Sequence, residues 1–126
     1  MRLLLDTHVV LWQLSGARSL GVRARELIAA STELAFSVVS FAEIGVKAAI
    51  GKLEVPRDLH AHVSETGVRV LGLSADHALA VASLPLHHRD PFDRLLIAQA
   101  RQEGLTLVTA DTRIHAYDVT VLDPLA

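Results

Sequence analysis

Short, nearly continuous apolar runs separated by helix-length segments constrain this chain more than any other feature. Arg2 to Leu5, Leu34 to Val38, Val68 to Leu71, Thr106 to Thr109 and Thr120 to Leu122 read as strands. Their near-continuous apolar character suits strands covered on both faces. Between them lie helical periodicities with recognisable punctuation. One runs from Val9 to Leu14 and stops at Ser15-Gly16; a second, capped by Ser19, carries Val22, Leu27 and Ile28 to about Ala30. A third starts at Ser40 and passes Ile44, Val46 and Ile50 to Gly51, a favourable residue just past a helix end. Pro56 opens a segment with Leu59 and Val63 that Gly67 closes, Ser74 caps a helix to about Leu84, and Asp90-Pro91 opens one that ends near Gly104. Strands separated by helices pair in parallel through right-handed crossovers. The expected fold is therefore α/β, a three-layer α/β/α domain around a central parallel sheet of about five strands. With 126 residues and no repeat, low-complexity stretch or linker, a single domain over residues 1–126 is expected.

The acidic residues stand where such a sheet concentrates them. Leu3-Leu4-Leu5 stops at Asp6, the second run is followed by Ser40 and Glu43, the fourth runs into Ala110-Asp111, and Asp90 and Asp93 open the last helix. Residues just past the carboxyl ends of parallel strands converge on one crevice, the usual ligand site of open α/β folds. Carboxylates gathered there cannot all stay ionised without a cation, so the pattern predicts a divalent metal site with oxygen ligands. Net charge is −2, and no overall basic field announces a nucleic-acid partner. Setting aside Asp6, Glu43, Asp90, Asp93 and Asp111 leaves twelve basic residues against nine acidic ones, a balance that accommodates a phosphate-bearing substrate.

Each acid also has a purely structural account. Glu43 follows Ser40 by three residues, the spacing of a capping box. Asp90 and Asp93 occupy the N-cap and N3 positions around Pro91, where the helix dipole favours negative charge. Asp6 stands ready to cap the helix after it, and Asp111 the turn from Thr112 to His115. Singly these acids are ordinary; their shared position past strand ends argues for chemistry.

The segments around the acids, Leu4-Leu5-Asp6-Thr7-His8-Val9-Val10-Leu11-Trp12, Ser37-Val38-Val39-Ser40-Phe41-Ala42-Glu43-Ile44, Asp90-Pro91-Phe92-Asp93-Arg94-Leu95-Leu96-Ile97-Ala98-Gln99-Ala100 and Leu107-Val108-Thr109-Ala110-Asp111, together resemble PIN-domain proteins, specifically VapC-type toxins of bacterial toxin–antitoxin pairs. The resemblance spans essentially the whole chain. It implies a metal-dependent endoribonuclease whose acidic cluster maps onto Asp6, Glu43, Asp93 and Asp111, with Asp90 as a helix cap, an outer group or an auxiliary ligand. Thr7, Ser40 and Thr109 match small hydroxyl positions beside the acids, and His8 stands where many relatives carry Asn. The same resemblance implies an RNA substrate, a cognate antitoxin whose carboxy-terminal segment docks in an apolar groove around Trp12, Val22 and Leu59, and a homodimer.

Independent chemistry points the same way. Phosphodiester hydrolysis needs an activated water, charge neutralisation on the nonbridging oxygens and help for the departing oxygen, and carboxylate-held Mg²⁺ or Mn²⁺ supplies all three. Two other classes fit less well. A phosphoacceptor-Asp domain lacks a second acid two residues after Asp6, where His8 stands, and a catalytically silent PIN-like binding module differs only by showing no cleavage. His87-His88 stands in an exposed-looking loop with no third ligand at zinc spacing, and His60 and His62 fall on opposite sides of a helix. Arg89, Arg94 and Lys47 neighbour the acidic motifs and are candidates for phosphate contact, charge balance or plain solvated surface. A hydrophobic fraction of 51% with only 4% aromatic residues predicts an aliphatic core and an apolar surface reserved for a partner. The absence of cysteine suits a reducing compartment, and no apolar run approaches the roughly 20 residues that span a bilayer. A soluble cytoplasmic protein with no membrane contact is the expectation.

Overall fold

A computed structural model describes residues 1–126. Five strands, β1 (Arg2–Leu5), β2 (Glu33–Ser37), β3 (Arg69–Leu71), β4 (Thr106–Val108) and β5 (Val121–Leu122), form one sheet in the order β3-β2-β1-β4-β5. Every pairing is parallel. Six α-helices lie between them: α1 (Thr7–Ser15), α2 (Val22–Ala29), α3 (Val38–Ala49), α4 (Leu59–Glu65), α5 (Ala75–Ala80), continued as a 3-10 turn at Val81–Ser83, and α6 (Pro91–Glu103). The expected three-layer α/β/α architecture is the one observed.

Side-chain alternation along β1 explains the layers. Leu4 points to one face and joins Ala35, Leu107, Leu96 and Ile97 in a core beneath α6, whereas Leu3 and Leu5 point to the other and join Phe36, Val108, Val9 and Val63 beneath α1 and α4. Leu3 and Leu4 are wholly buried, so β1 is the central strand of a sheet that has no wet face.

Two expected helix caps, Ser19 and Ser40, are not the ones used. Ser19 caps nothing: α2 begins at Val22 with Gly21 at its N-cap. The carboxy-terminal residues decide this, because the Gly21 N–H donates to the Pro124 carbonyl at 2.9 Å and a Cβ at position 21 would fall 1.8 Å from the Ala126 carbonyl oxygen. Likewise α3 begins at Val38, with the Ser37 hydroxyl accepting from the Val39 N–H at 3.0 Å. Ser37 also bonds the buried Gln99 of α6, whose amide in turn donates to the Gly72 carbonyl, and that tie between sheet and helix places the cap three residues early.

Candidate metal centre

Three central strands and helix α6 deliver the acids. Leu5 at the end of β1 is level with Phe36 of β2 and Val108 of β4, and the Asp6 N–H donates to the Val108 carbonyl at 3.0 Å, one rung beyond the ladder. Asp6 is 4% exposed. Its Oδ2 accepts from the buried Thr109 hydroxyl at 2.7 Å, while Oδ1 is buried without a hydrogen-bond partner. No side-chain bond from Asp6 caps α1, so the capping account of this residue is wrong. Burial pushes its pKa up, and the Glu43 charge adds to the effect against the opposing Thr109 bond. An orphaned carboxylate oxygen in the interior calls for a cation or a proton.

Glu43 is no capping-box partner either. With α3 starting at Val38, both Ser40 and Glu43 lie inside the helix, are buried, and face α1. Thr7 Oγ1 is 2.8 Å from Ser40 Oγ and 2.8 Å from Glu43 Oε1. A hydroxyl has one proton to give, and a carboxylate is the stronger acceptor, so Thr7 donates to Glu43 and receives from Ser40. Lys47, one turn on, sets Nζ 2.6 Å from Glu43 Oε2. That hydrogen bond raises the lysine's pKa and gives the buried carboxylate its counter-charge. Of the three basic candidates, Lys47 therefore balances charge.

Helix α6 supplies the next two acids in different roles. Asp90 Oδ1 accepts from the Phe92 N–H at 2.8 Å and the Asp93 N–H at 3.3 Å, with Pro91 in the first turn, as the cap expectation required. Asp93 is buried, and burial together with the charges of Asp6, Asp90, Glu43 and Asp111 pushes its pKa up to about 8. Asp93 therefore sits where the charges of the other four acids converge. Asp111 differs from Asp93. Burial acts to raise it, but the Arg113 side chain at 3.0 Å, the Arg113 N–H and the guanidinium charge outweigh that and hold it below the usual carboxylate range. It also begins the expected turn, accepting from the Ile114 N–H through its carbonyl.

His88 joins this group, contrary to the exposed loop expected for it. It is 4% exposed, with Nε2 2.8 Å from Asp93 Oδ2 and 3.1 Å from Asp111 Oδ2. Donor atoms of His88, Asp93 and Asp111 all lie within 4.8 Å of one another. Zinc-type His and Cys spacing misses this arrangement because its partners are aspartates brought in by α6 and β4. His87 points elsewhere, edge-on to Tyr117 at 5.1 Å.

Arg94 corrects another expectation. It is buried and donates to the carbonyls of Val81, Leu84 and Pro85 and to the Tyr117 hydroxyl, so it braces the loop before α6 and is not solvated surface. Arg89 is exposed. His60 stacks edge-on against Phe41 while His62 pairs with Asp58, two separate environments. Trp12 is half-buried against the α1/α4 core with the Arg18 guanidinium 5.3 Å above its ring. Leu59 is in the core and Val22 is exposed on α2. An apolar groove of about 230 Å³ does exist among α1, α2 and α4, lined by Val9, Val10, Leu14, Leu20, Ile28 and Val63.

The fold and the crevice define a class: a parallel α/β domain with carboxylates from four chain segments at the carboxyl edge of its central strands. The PIN domain family model matches residues 3–119, and the chain belongs to that family. It is 31% identical over 122 residues to the ribonuclease VapC22 of Mycobacterium tuberculosis, covering 90% of each chain. Among solved structures it is similar to VapBC2 of Rickettsia felis bound to a promoter DNA fragment, with a TM-score of 0.72 at 17% identity over 97% of this chain and 98% of that one. It is also similar to FitAcB of Neisseria gonorrhoeae, with a TM-score of 0.65 at 23% identity over 97% of each. Likeness at those identities speaks for the fold.

Proposed function

We propose that this PIN domain, spanning residues 1–126, is a metal-dependent endoribonuclease and the toxin of a toxin–antitoxin pair. One observation carries the metal reading: Asp6 Oδ1 is buried without a partner beside Asp93, whose proton is held to about pH 8 by burial and, after it, by neighbouring carboxylates. Such a cluster stores repulsion that a divalent cation relieves. The donor set is rich in carboxylate oxygen, which suits Mg²⁺ or Mn²⁺. Asp6 and Asp93 would hold the ion directly, Glu43 and Asp111 directly or through water, and Asp90 with the oxygen not engaged in capping. When bound, such an ion polarises phosphoryl oxygens and acidifies water. The chain's own groups do the rest. Thr109 and Thr7 orient the Asp6 and Glu43 carboxylates, Lys47 pairs with Glu43 Oε2, and Glu43 or Asp111 accepts the proton of the attacking water.

RNA as substrate follows from the family and from the activity named for the VapC22 relative. Arg113 and Arg89 are exposed next to the acids, ready for phosphates on either side of the scissile bond. An antitoxin partner fits the structural relatives, one of which is a toxin–antitoxin complex from Klebsiella pneumoniae, and the apolar groove among α1, α2 and α4 is where its apolar carboxy-terminal segment would dock. Exposed Val46, Ile50 and Leu79 suit a homodimer contact. No helix is long and apolar enough to cross a membrane, and a cytoplasmic location, where RNA and antitoxin meet, completes the reading. The test is RNA cleavage by purified protein with chelator and after Mg²⁺ or Mn²⁺ is returned. Cleavage should disappear and recover, and antitoxin should suppress it. Cleavage that survives chelation would refute the metal mechanism, and none under any condition would favour a silent binding module.

A further inference from the structure

Between the acids of α6 and of the β4 end stands a side chain that the carboxylate chemistry alone leaves unexplained. His88 is nearly inaccessible, and its Nε2 bridges Asp93 Oδ2 and Asp111 Oδ2 at 2.8 and 3.1 Å. The opposite ring nitrogen decides what Nε2 can do. The Asp90 N–H donates to His88 Nδ1 at 3.3 Å, so Nδ1 presents a lone pair and the ring's proton resides on Nε2. A ring accepting at Nδ1 has no lone pair left at Nε2 for a metal unless it loses both protons. The ring is held in this pose from its backbone: the His88 N–H donates to the Tyr117 hydroxyl at 2.9 Å, and Arg94 donates to that same hydroxyl at 3.2 Å.

We propose that His88 is a positioning residue, whose Nε2–H, fixed by the Asp90 N–H at Nδ1, holds Asp93 Oδ2 and Asp111 Oδ2 side by side, with Arg113 on Asp111 Oδ1, so that Asp93 Oδ1 is left for the cation. The inference rests on the carboxylate metal site proposed above. It gives Asp90 a second task, since the residue that caps α6 with its side chain sets the His88 tautomer with its backbone. Substitutions at hydrogen-bond partners of metal ligands commonly cost 10–100-fold in metal affinity. His88→Ala should therefore weaken binding by about that factor.

Mn²⁺ binding to the full chain, read by paramagnetic resonance, supplies a readout separate from cleavage. His88→Gln places an amide N–H near Nε2 and should restore affinity to within a few-fold of wild type, while the wild-type spin-echo spectrum should show no directly bonded ¹⁴N. His88→Ala binding Mn²⁺ as tightly as wild type overturns the inference. So does a directly bonded ¹⁴N signal in the wild type, which would make His88 a ligand and needs no variant that folds. A wild type that binds no Mn²⁺ overturns the metal site itself and this inference with it. Failure of His88 alone leaves wild-type binding intact and its loss in Asp93→Asn visible.

Discussion

Asp93→Asn should make the metal-free protein more stable, and by an amount that grows with pH. Asp93 ionises near its ordinary value of 3.8 in the unfolded chain but only at about 8 in the folded one. Between those values the folded state binds the extra proton, so stability falls as pH rises. The penalty is absent below about pH 4 and complete above about pH 8. At about 1.4 kcal/mol per unit, the gap of roughly four units bounds it near 5–6 kcal/mol. Water entry and local relaxation reduce such figures, so a gain of about 2 kcal/mol at pH 8 is expected, or roughly 6–10 °C in Tm for a domain of this size. Asparagine retains an oxygen to accept from His88 Nε2, so no donor there loses its partner. Thermal unfolding in chelator at pH 4.5 and pH 8 measures the effect. Wild type and variant should nearly coincide at the lower pH and separate at the higher. Adding Mn²⁺ at about 100 times its Kd should stabilise wild type by about 2.7 kcal/mol and erase the advantage. A variant less stable than wild type at pH 8 without metal, or a gain independent of pH, would refute the reasoning.

Other substitutions divide structure from chemistry. Asp90→Ala should cost about 1 kcal/mol in urea unfolding through the lost α6 cap and reduce RNA cleavage far less than Asp93→Asn does; equal losses would make Asp90 as essential to the ion as Asp93, not an auxiliary group. Arg94→Met removes the buried guanidinium from the carbonyls of Val81, Leu84 and Pro85, of which Val81 keeps the Leu84 N–H, so a loss of about 3 kcal/mol is expected in urea unfolding, with Mn²⁺ affinity falling through the displaced His88 loop. Gly21→Ala must push the carboxy-terminal residues off α2, and calorimetry should record about 1–3 kcal/mol of destabilisation with cleavage per folded molecule unchanged.

Local pattern alone determined much of this protein. Apolar runs of strand length between capped helical periods dictate a buried parallel sheet, because backbone hydrogen bonding and two-sided burial leave few other solutions. The Asp90-Pro91 start of α6 and the carboxylates past β1 and β4 were legible for the same reason, being set by residues adjacent in the chain. Tertiary structure decided what depends on distant partners. Ser37 instead of Ser40 caps α3 because Ser37 is also bound to Gln99, and that shift turns Glu43 from a capping residue into a buried carboxylate held by Thr7 and Lys47. His88 and Arg94 read as surface residues in sequence. Both are buried in the fold because Tyr117, 29 and 23 residues further along, folds its hydroxyl back against them. A polar side chain's role depends on which donors and acceptors surround it once water is gone, and for these residues the neighbours arrive only when the sheet closes.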